Sequence, residues 1–308
     1  LLFWQRRLWF ILPSNNLTFM NTYLLLILSS IFLSFKLYAQ DNSLLWEISK
    51  EGHKTSYLFG SIHLKTPEVI GLGNSALVYL ERCDAYAGEI ILDPKDVFAL
   101  LPLFIEKDPN KRCSAILDSL EYYETKIKVE EHLGSEFLLL LPSISPYMLA
   151  TILSLPKDEL NNSSGEFLDL YLQEKARERE MKLISLESIA SQLAYFQNIE
   201  PLAQKEYLMK VVKGTEIEEE NLDNLFQLYL DQNLNAIEQG LYFEEQDDPL
   251  ISEGFMEDRN LIQLEGIIKA SAEQKTFITV GLAHLVGTKG LLYLLEQEGY
   301  TIKAIAIK

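Results

Sequence analysis

Thr55-Ser56-Tyr57-Leu58-Phe59-Gly60-Ser61-Ile62-His63-Leu64 and Thr276-Phe277-Ile278-Thr279-Val280-Gly281-Leu282-Ala283-His284-Leu285 are two versions of one phrase: an apolar, β-prone run that ends in Gly-x-x-His-Leu. They lie near opposite ends of the chain and hold two of its four histidines. Runs rich in β-branched and aromatic residues read as buried strands. The glycine and histidine then fall at the C-terminal edge of each strand, where open α/β sheets place their ligands. Each phrase is followed by a helical stretch, 74–83 or 288–297, and then by another strand-like run, 86–92 or 301–307. Both units therefore read as strand, Gly-x-x-His turn, helix, strand, joined by a right-handed crossover. The fold expected is α/β (α+β), with a sheet built from N- and C-terminal β-GxxH-α-β repeats and a large helical middle segment.

That middle segment spans about 97–272 as a helical insertion. Apolar residues recur at helical spacing in 121–133, 166–179, 188–196, 201–212, 219–230 and 259–270, with polar faces opposite. Pro142, Pro146, Pro156 and Pro201 punctuate these stretches. Strands are expected at 44–48, 55–59, 85–92, 182–186, 276–281 and 301–307. No low-complexity linker divides the sequence, so residues 41–308 read as a single domain.

Lys and Arg number 27 against 45 Asp and Glu, a formal charge of -18. A nucleic-acid surface needs clustered cations, so a polyanionic partner is not expected. The acidic stretches 216–220 and 244–248 lack the spacing of a calcium loop and read as solvated faces. Residues 1–39 differ from the rest. The apolar run 23–35, followed by Lys36-Leu37-Tyr38-Ala39-Gln40, reads as a signal-peptide region with a start at Met20 and cleavage after Ala39. The alternative is an uncleaved anchor, which would then be the chain's membrane contact. Either way the protein is expected to be exported, periplasmic or secreted. Cys83 and Cys113 are the only cysteines; they either pair in an oxidising compartment or remain buried thiols, and neither sits in a CxxC.

His63 and His284 are too far apart for any local metal motif, so only the fold can bring them together. A neutral imidazole is a good ligand for a divalent metal, and such a pair needs one or two carboxylates to complete a site. Glu89, within Ala87-Gly88-Glu89-Ile90-Ile91-Leu92, is the evident carboxylate, because a charge in an apolar run is costly without a metal or an arginine beside it. Asp93 is either a second ligand on the same strand face or a turn residue before Pro94. The alternative for the histidines is a local hydrogen bond that fixes each glycine turn. His53 and His132 lack the repeated context and read as surface residues.

The chain resembles the TraB/GumN family, which includes Tiki-like and pheromone-shutdown proteins. The resemblance is carried by Leu45-Trp46-Glu47-Ile48, Tyr57 to His63 and Gly88 to Asp93, then Leu168-Asp169-Leu170-Tyr171-Leu172, Ala176, Leu186-Glu187-Ser188 and Gln192, then Asp258-Arg259-Asn260, Gly281 to Gly287, Gly290-Leu291, Leu294-Leu295 and Gly299-Tyr300. Ser188 stands where the family usually has threonine, and Phe167-Leu168 precede Asp169 where it often has glycine. The resemblance implies an erythromycin-esterase-like α/β fold, an active site of paired Gly-x-x-His motifs with a glutamate, and, for the Tiki branch, metal-dependent peptide hydrolysis.

On this reading His63, Glu89 and His284 hold a divalent metal, manganese or cobalt, with zinc possible, and leave a position for water. Glu187 and Asp169 are candidates for the general base or for orienting the histidines; otherwise they cap helices or pair with arginine. Arg259 either stabilises a developing oxyanion or pairs with Glu89 or Asp169, and Asn260 donates a hydrogen bond in the same site. The function expected is a metal-dependent hydrolase of peptide or protein substrates. The alternatives are a metal-free ester or lactone hydrolase using histidine as general base, and a peptide- or metal-binding protein without turnover.

Overall fold

A computed structural model describes residues 42–64, 66–91, 105–154, 167–196, 199–214, 219–247 and 255–308. Residues 1–41, with the expected signal-peptide region, and Asp93 lie outside them. Residues 41–308 form one compact unit.

All six strands expected from the sequence are present: β1 (Leu45–Ser49), β2 (Ser56–Ser61), β3 (Ala85–Gly88), β4 (Lys182–Ser185), β5 (Thr276–Gly281) and β6 (Thr301–Ile305). They form one sheet in the order β4-β3-β5-β2-β1-β6. β2 pairs with β5, β5 with β3, and β3 with β4, all in parallel. β1 runs antiparallel to both β2 and β6, which turns β6 back to the direction of the parallel set. The two repeated phrases are thus neighbouring parallel strands, with Gly60 opposite Val280 and Ser61 opposite Gly281. Phe59, Phe277 and Tyr86 stack across β2, β5 and β3, with centroids 6.2 Å and 6.5 Å apart. This aromatic row welds the parallel strands into one core.

β2 leads through helix α1 (Pro67–Leu80) to β3, stepping over β5. β5 leads through α11 (Leu291–Gln297) to β6, stepping over β2 and β1. The repeat therefore exists as read, but its two crossovers run in opposite directions along the sheet. With right-handed connections their helices take opposite faces, which makes the C-terminal ends of the neighbouring strands β2 and β5 the switch point of the sheet. Thr66 caps α1 through its hydroxyl to the Val69 amide, with Pro67 at the first helical position.

β3 is shorter than the sequence suggests. It leaves the sheet after Gly88, where its partner β4 also ends, so Glu89 sits in a bend beyond the strand rather than inside it. The Leu186 amide still donates to Gly88 O and the Glu187 amide to Glu89 O, so the two chains stay together past the last strand pair.

Among the described residues, the regular structure of the middle segment is helical apart from β4 and a β-bridge between Ile105 and Ile144. It contains α2 (Cys113–Ile116), α3 (Ser119–Leu133), α4 (Pro146–Leu153), α5 (Leu168–Glu178), α6 (Ile189–Phe196), α7 (Pro201–Lys213), α8 (Glu219–Leu230), α9 (Leu234–Asp247) and α10 (Phe255–Glu273). Pro146, which reads as a breaker, opens α4 at its first turn, with the Ser145 hydroxyl accepting from the Met148 amide. Asp118 and Glu121 form a reciprocal capping box at the start of α3.

Two apolar clusters result. The larger lies on the sheet and includes Leu58, Phe59, Leu172, Tyr229, Ile267, Phe277 and Leu291. The smaller lies wholly among the middle helices and includes Val129, Leu149, Leu153, Leu208 and Val211. Cys83 packs against the first cluster and Cys113 lies within the second. Both thiols are free, and burial pushes both up to about 12. No described helix is long and apolar enough to cross a membrane.

Candidate functional site

The four adjacent parallel strands deliver one chemically active residue each just beyond their C-terminal ends: Glu187 after β4, Glu89 after β3, His284 after β5 and His63 after β2. Helix α10 supplies Arg259, Asn260 and Gln263, which occupy i, i+1 and i+4 positions and so lie along one side of the helix. Asp169 comes from the first turn of α5.

Arg259 is the hub of the buried part. Its Nε donates to Glu187 Oε2 at 3.1 Å and its Nη2 to Glu187 Oε1 at 2.9 Å, a bidentate pair, while Nη2 also reaches Glu89 Oε2 at 2.8 Å. Gln263 Nε2 adds a donor to Glu187 Oε1. Glu89 Oε1 accepts from the Gly281 amide, so the first glycine of the second motif holds the carboxylate. Burial would raise the Glu89 carboxyl, but His284, the Arg259 guanidinium and the Gly281 N–H together keep it below its usual value. With one guanidinium against two carboxylates, this inner group keeps one excess negative charge.

His284 is buried, its side chain only 4% exposed. Asn260 Nδ2 donates to Lys289 O at 2.8 Å, which turns Asn260 Oδ1 toward His284 Nδ1, 2.6 Å away. Nδ1 therefore carries the ring proton and Nε2 presents a lone pair, 3.3 Å from Gln263 Nε2 and 3.7 Å from Glu89 Oε1. Burial pushes the imidazole down to about 4, so it is neutral at ordinary pH. His63 is its counterpart in a different setting. Its side chain is 71% exposed, Nδ1 lies 3.2 Å from Asp169 Oδ1, and the Phe167 ring stands edge-on at 6.2 Å. The hydrogen bond to Asp169 outweighs desolvation and raises the His63 imidazole above its usual value.

The structure thus gathers Glu89, Glu187, Arg259, Asn260 and His284 into one hydrogen-bonded group, with His63 and Asp169 forming a second pair. The two are close enough that His63 feels the charges of Glu89 and Arg259, and His284 feels that of His63. Gln263 and Gln192, whose Nε2 lies 3.5 Å from Glu89 Oε2, join the site without having been assigned a role from sequence. Gln263 sits one helical turn after Arg259, and that spacing was the available signal.

The donor set suits a hard-to-borderline divalent ion, with imidazole nitrogen and carboxylate oxygen and no thiolate. Among the described residues, Glu89, Glu187 and His284 can each offer an atom within 4.8 Å of the others. The oxygens of Glu187 accept from Arg259 and Gln263 and Glu89 Oε1 accepts from the Gly281 amide, so each of these carboxylate oxygens already has a hydrogen-bond donor. Gln263 Oε1 is buried with no hydrogen-bond partner, an orphaned acceptor beside this group. Glu89, Glu187 and His284 thus fit a divalent cation by chemistry and spacing, and His63 is not part of that group.

A mixed α/β sheet carrying a buried carboxylate, arginine and histidine group at its switch point defines an α/β protein with its site at the C-terminal strand ends. The chain belongs to the TraB/PrgY/gumN family, whose model matches residues 44–304. No curated protein and no solved structure matches it.

Proposed function

We propose that this chain is an exported, metal-dependent hydrolase acting on peptide or protein substrates, with His63, Glu89 and His284 holding a divalent cation. One observation carries the reading: both motif histidines have Nδ1 tied to a side-chain oxygen, Asp169 Oδ1 for His63 and Asn260 Oδ1 for His284. Metal-binding imidazoles are commonly oriented in this way, with the second nitrogen left for the ion. The excess negative charge of the inner group favours a cation in the same place.

A bound divalent ion supplies Lewis acidity and a water of lowered pKa. The chain's own residues do the rest. Arg259 pairs with Glu187 and Glu89 and so offsets the cost of burying their charge. Asn260 fixes the His284 tautomer. Asp169 holds His63 Nδ1 at the solvent-facing side and leaves its Nε2 for the ion.

The test is metal content of the full chain by elemental mass spectrometry without chelators, compared with His63→Ala and His284→Ala. A near-stoichiometric ion in wild type, reduced at least tenfold in both variants, together with chelator-sensitive peptide cleavage, is expected. Wild type that takes up no manganese, cobalt or zinc overturns the metal reading.

A second reading has its own support, because Arg259 already provides a cation for both glutamates. In that case neutral His284 Nε2 is the general base of a metal-free ester or lactone hydrolase, and activity survives chelators but not His284→Ala.

A further inference from the structure

Gln263 is fully buried, yet only half of its carboxamide is satisfied. Its Nε2 donates to Glu187 Oε1 and faces His284 Nε2 at 3.3 Å, while Oε1 has no partner. An unmet buried acceptor is costly, so the arrangement needs a reason. The opposite rotamer supplies it: Oε1 would then face a carboxylate oxygen and an imidazole lone pair, three acceptors converging with nothing between them. A divalent cation seated among the three makes that convergence favourable.

We propose that the Gln263 carboxamide is an ion-dependent gate and an additional donor for the metal. Without an ion, its amino group caps the His284 lone pair and bridges to Glu187. When a divalent cation is seated between His284 Nε2 and Glu89 Oε1, the carboxamide turns over and Oε1 faces the ion. The amino group then occupies the place where Oε1 has no partner now, so the exchange has a cost and sets a threshold for loading. The inference rests on the metal-dependent reading above and assigns to Gln263 a role that neither the repeated motifs nor the carboxylates supply.

The experiment is titration of the metal-stripped full chain with zinc, by calorimetry and by side-chain amide NMR, for wild type, Gln263→Leu and Gln263→Glu. The Gln263 amide pair is identified as the one missing from the variant spectra. Wild type is expected to bind zinc with a large shift of that pair. Gln263→Leu is expected to bind about tenfold or more weakly, as when a supporting group of a metal site is lost. Gln263→Glu, which offers an oxygen in either rotamer, is expected to bind more tightly. Thermal melts identify any variant that fails to fold, and the NMR titration of wild type stands without either. Zinc binding with an unmoved Gln263 amide, or with unchanged affinity in Gln263→Leu, overturns the gate while leaving the metal reading intact. Absence of zinc binding in wild type overturns both.

Discussion

The two motif histidines occupy equivalent positions in sequence but opposite chemical situations. His284 is dehydrated and tied to a neutral amide, while His63 is exposed and tied to a carboxylate. Imidazole NMR across pH is therefore expected to show His63 titrating above its usual value of 6.5 and His284 near 4, with Asp169→Asn returning His63 toward the ordinary range. Two coincident titrations would contradict the geometry. The sign for stability follows. Unfolded His284 binds its proton near 6.5 and folded His284 only near 4, so across that window the unfolded state holds more protons and stability falls as pH falls. Glu89, held low in the fold, adds loss in the same direction at more acid pH. His63 opposes weakly, contributing stability that is lost as pH rises through its raised pKa, and its exposure keeps that term small. Denaturant midpoints between pH 4 and 7 are expected to slope for wild type and to flatten in His284→Gln. The histidines were legible because their frame is repeated, and Glu89 because a carboxylate stood alone in an apolar run. Gln263 was not, since its only signal, the i+4 spacing from Arg259, takes on meaning only once the helix is docked.

At the scale of elements, the C-terminal strand ends do the positioning, and the glycines there are set by contacts rather than by unusual backbone. A Cβ added at Gly281 would lie 3.1 Å from Glu89 Oε1, tighter than ordinary contact. Gly281→Ala is thus expected to push Glu89 off the amide that holds it and to lower metal affinity and activity about tenfold or more. The melting temperature should move little, because the displaced group is a side-chain tip. An alanine variant with wild-type metal binding would show that the Gly281 contact is incidental. Gly290 is the contrasting case: its added Cβ would lie 2.1 Å from Val286 O, a backbone atom that cannot step aside, so there the loss falls on the fold itself. All six strands were legible from apolar runs and their spacing. Helices α2, α4 and α9 were not picked out, α4 because Pro146 reads equally as a stop and as a first-turn residue until Ser145 is seen capping it. The end of β3 was missed by several residues, because an apolar run says nothing about where the neighbouring strand stops.

At the scale of the molecule, the middle segment is both insertion and wall of the candidate site. Asp169, Glu187, Arg259, Asn260 and Gln263 all come from it, so the repeats alone make no complete site. Yet α2, α3, α4 and α7 gather around an apolar cluster of their own, and none of these helices carries a site residue. The sequence could not separate these roles, because helical periodicity marks a buried face without saying which core buries it. The division has a measurable consequence. Leu149 is buried in the smaller cluster, and Leu149→Ala removes apolar contacts worth about 2 to 5 kcal/mol in a well-packed core. If the cluster is a cooperative unit of its own, that loss falls on local opening rather than on global unfolding. Native-state hydrogen exchange is then expected to accelerate in α3, α4 and α7, while the amides of β2, β3 and β5, and the Gly281 amide bound to Glu89, keep wild-type protection. Equal acceleration in the sheet would mean that the two clusters unfold together, and that the site depends on the whole helical segment rather than on the part that touches it.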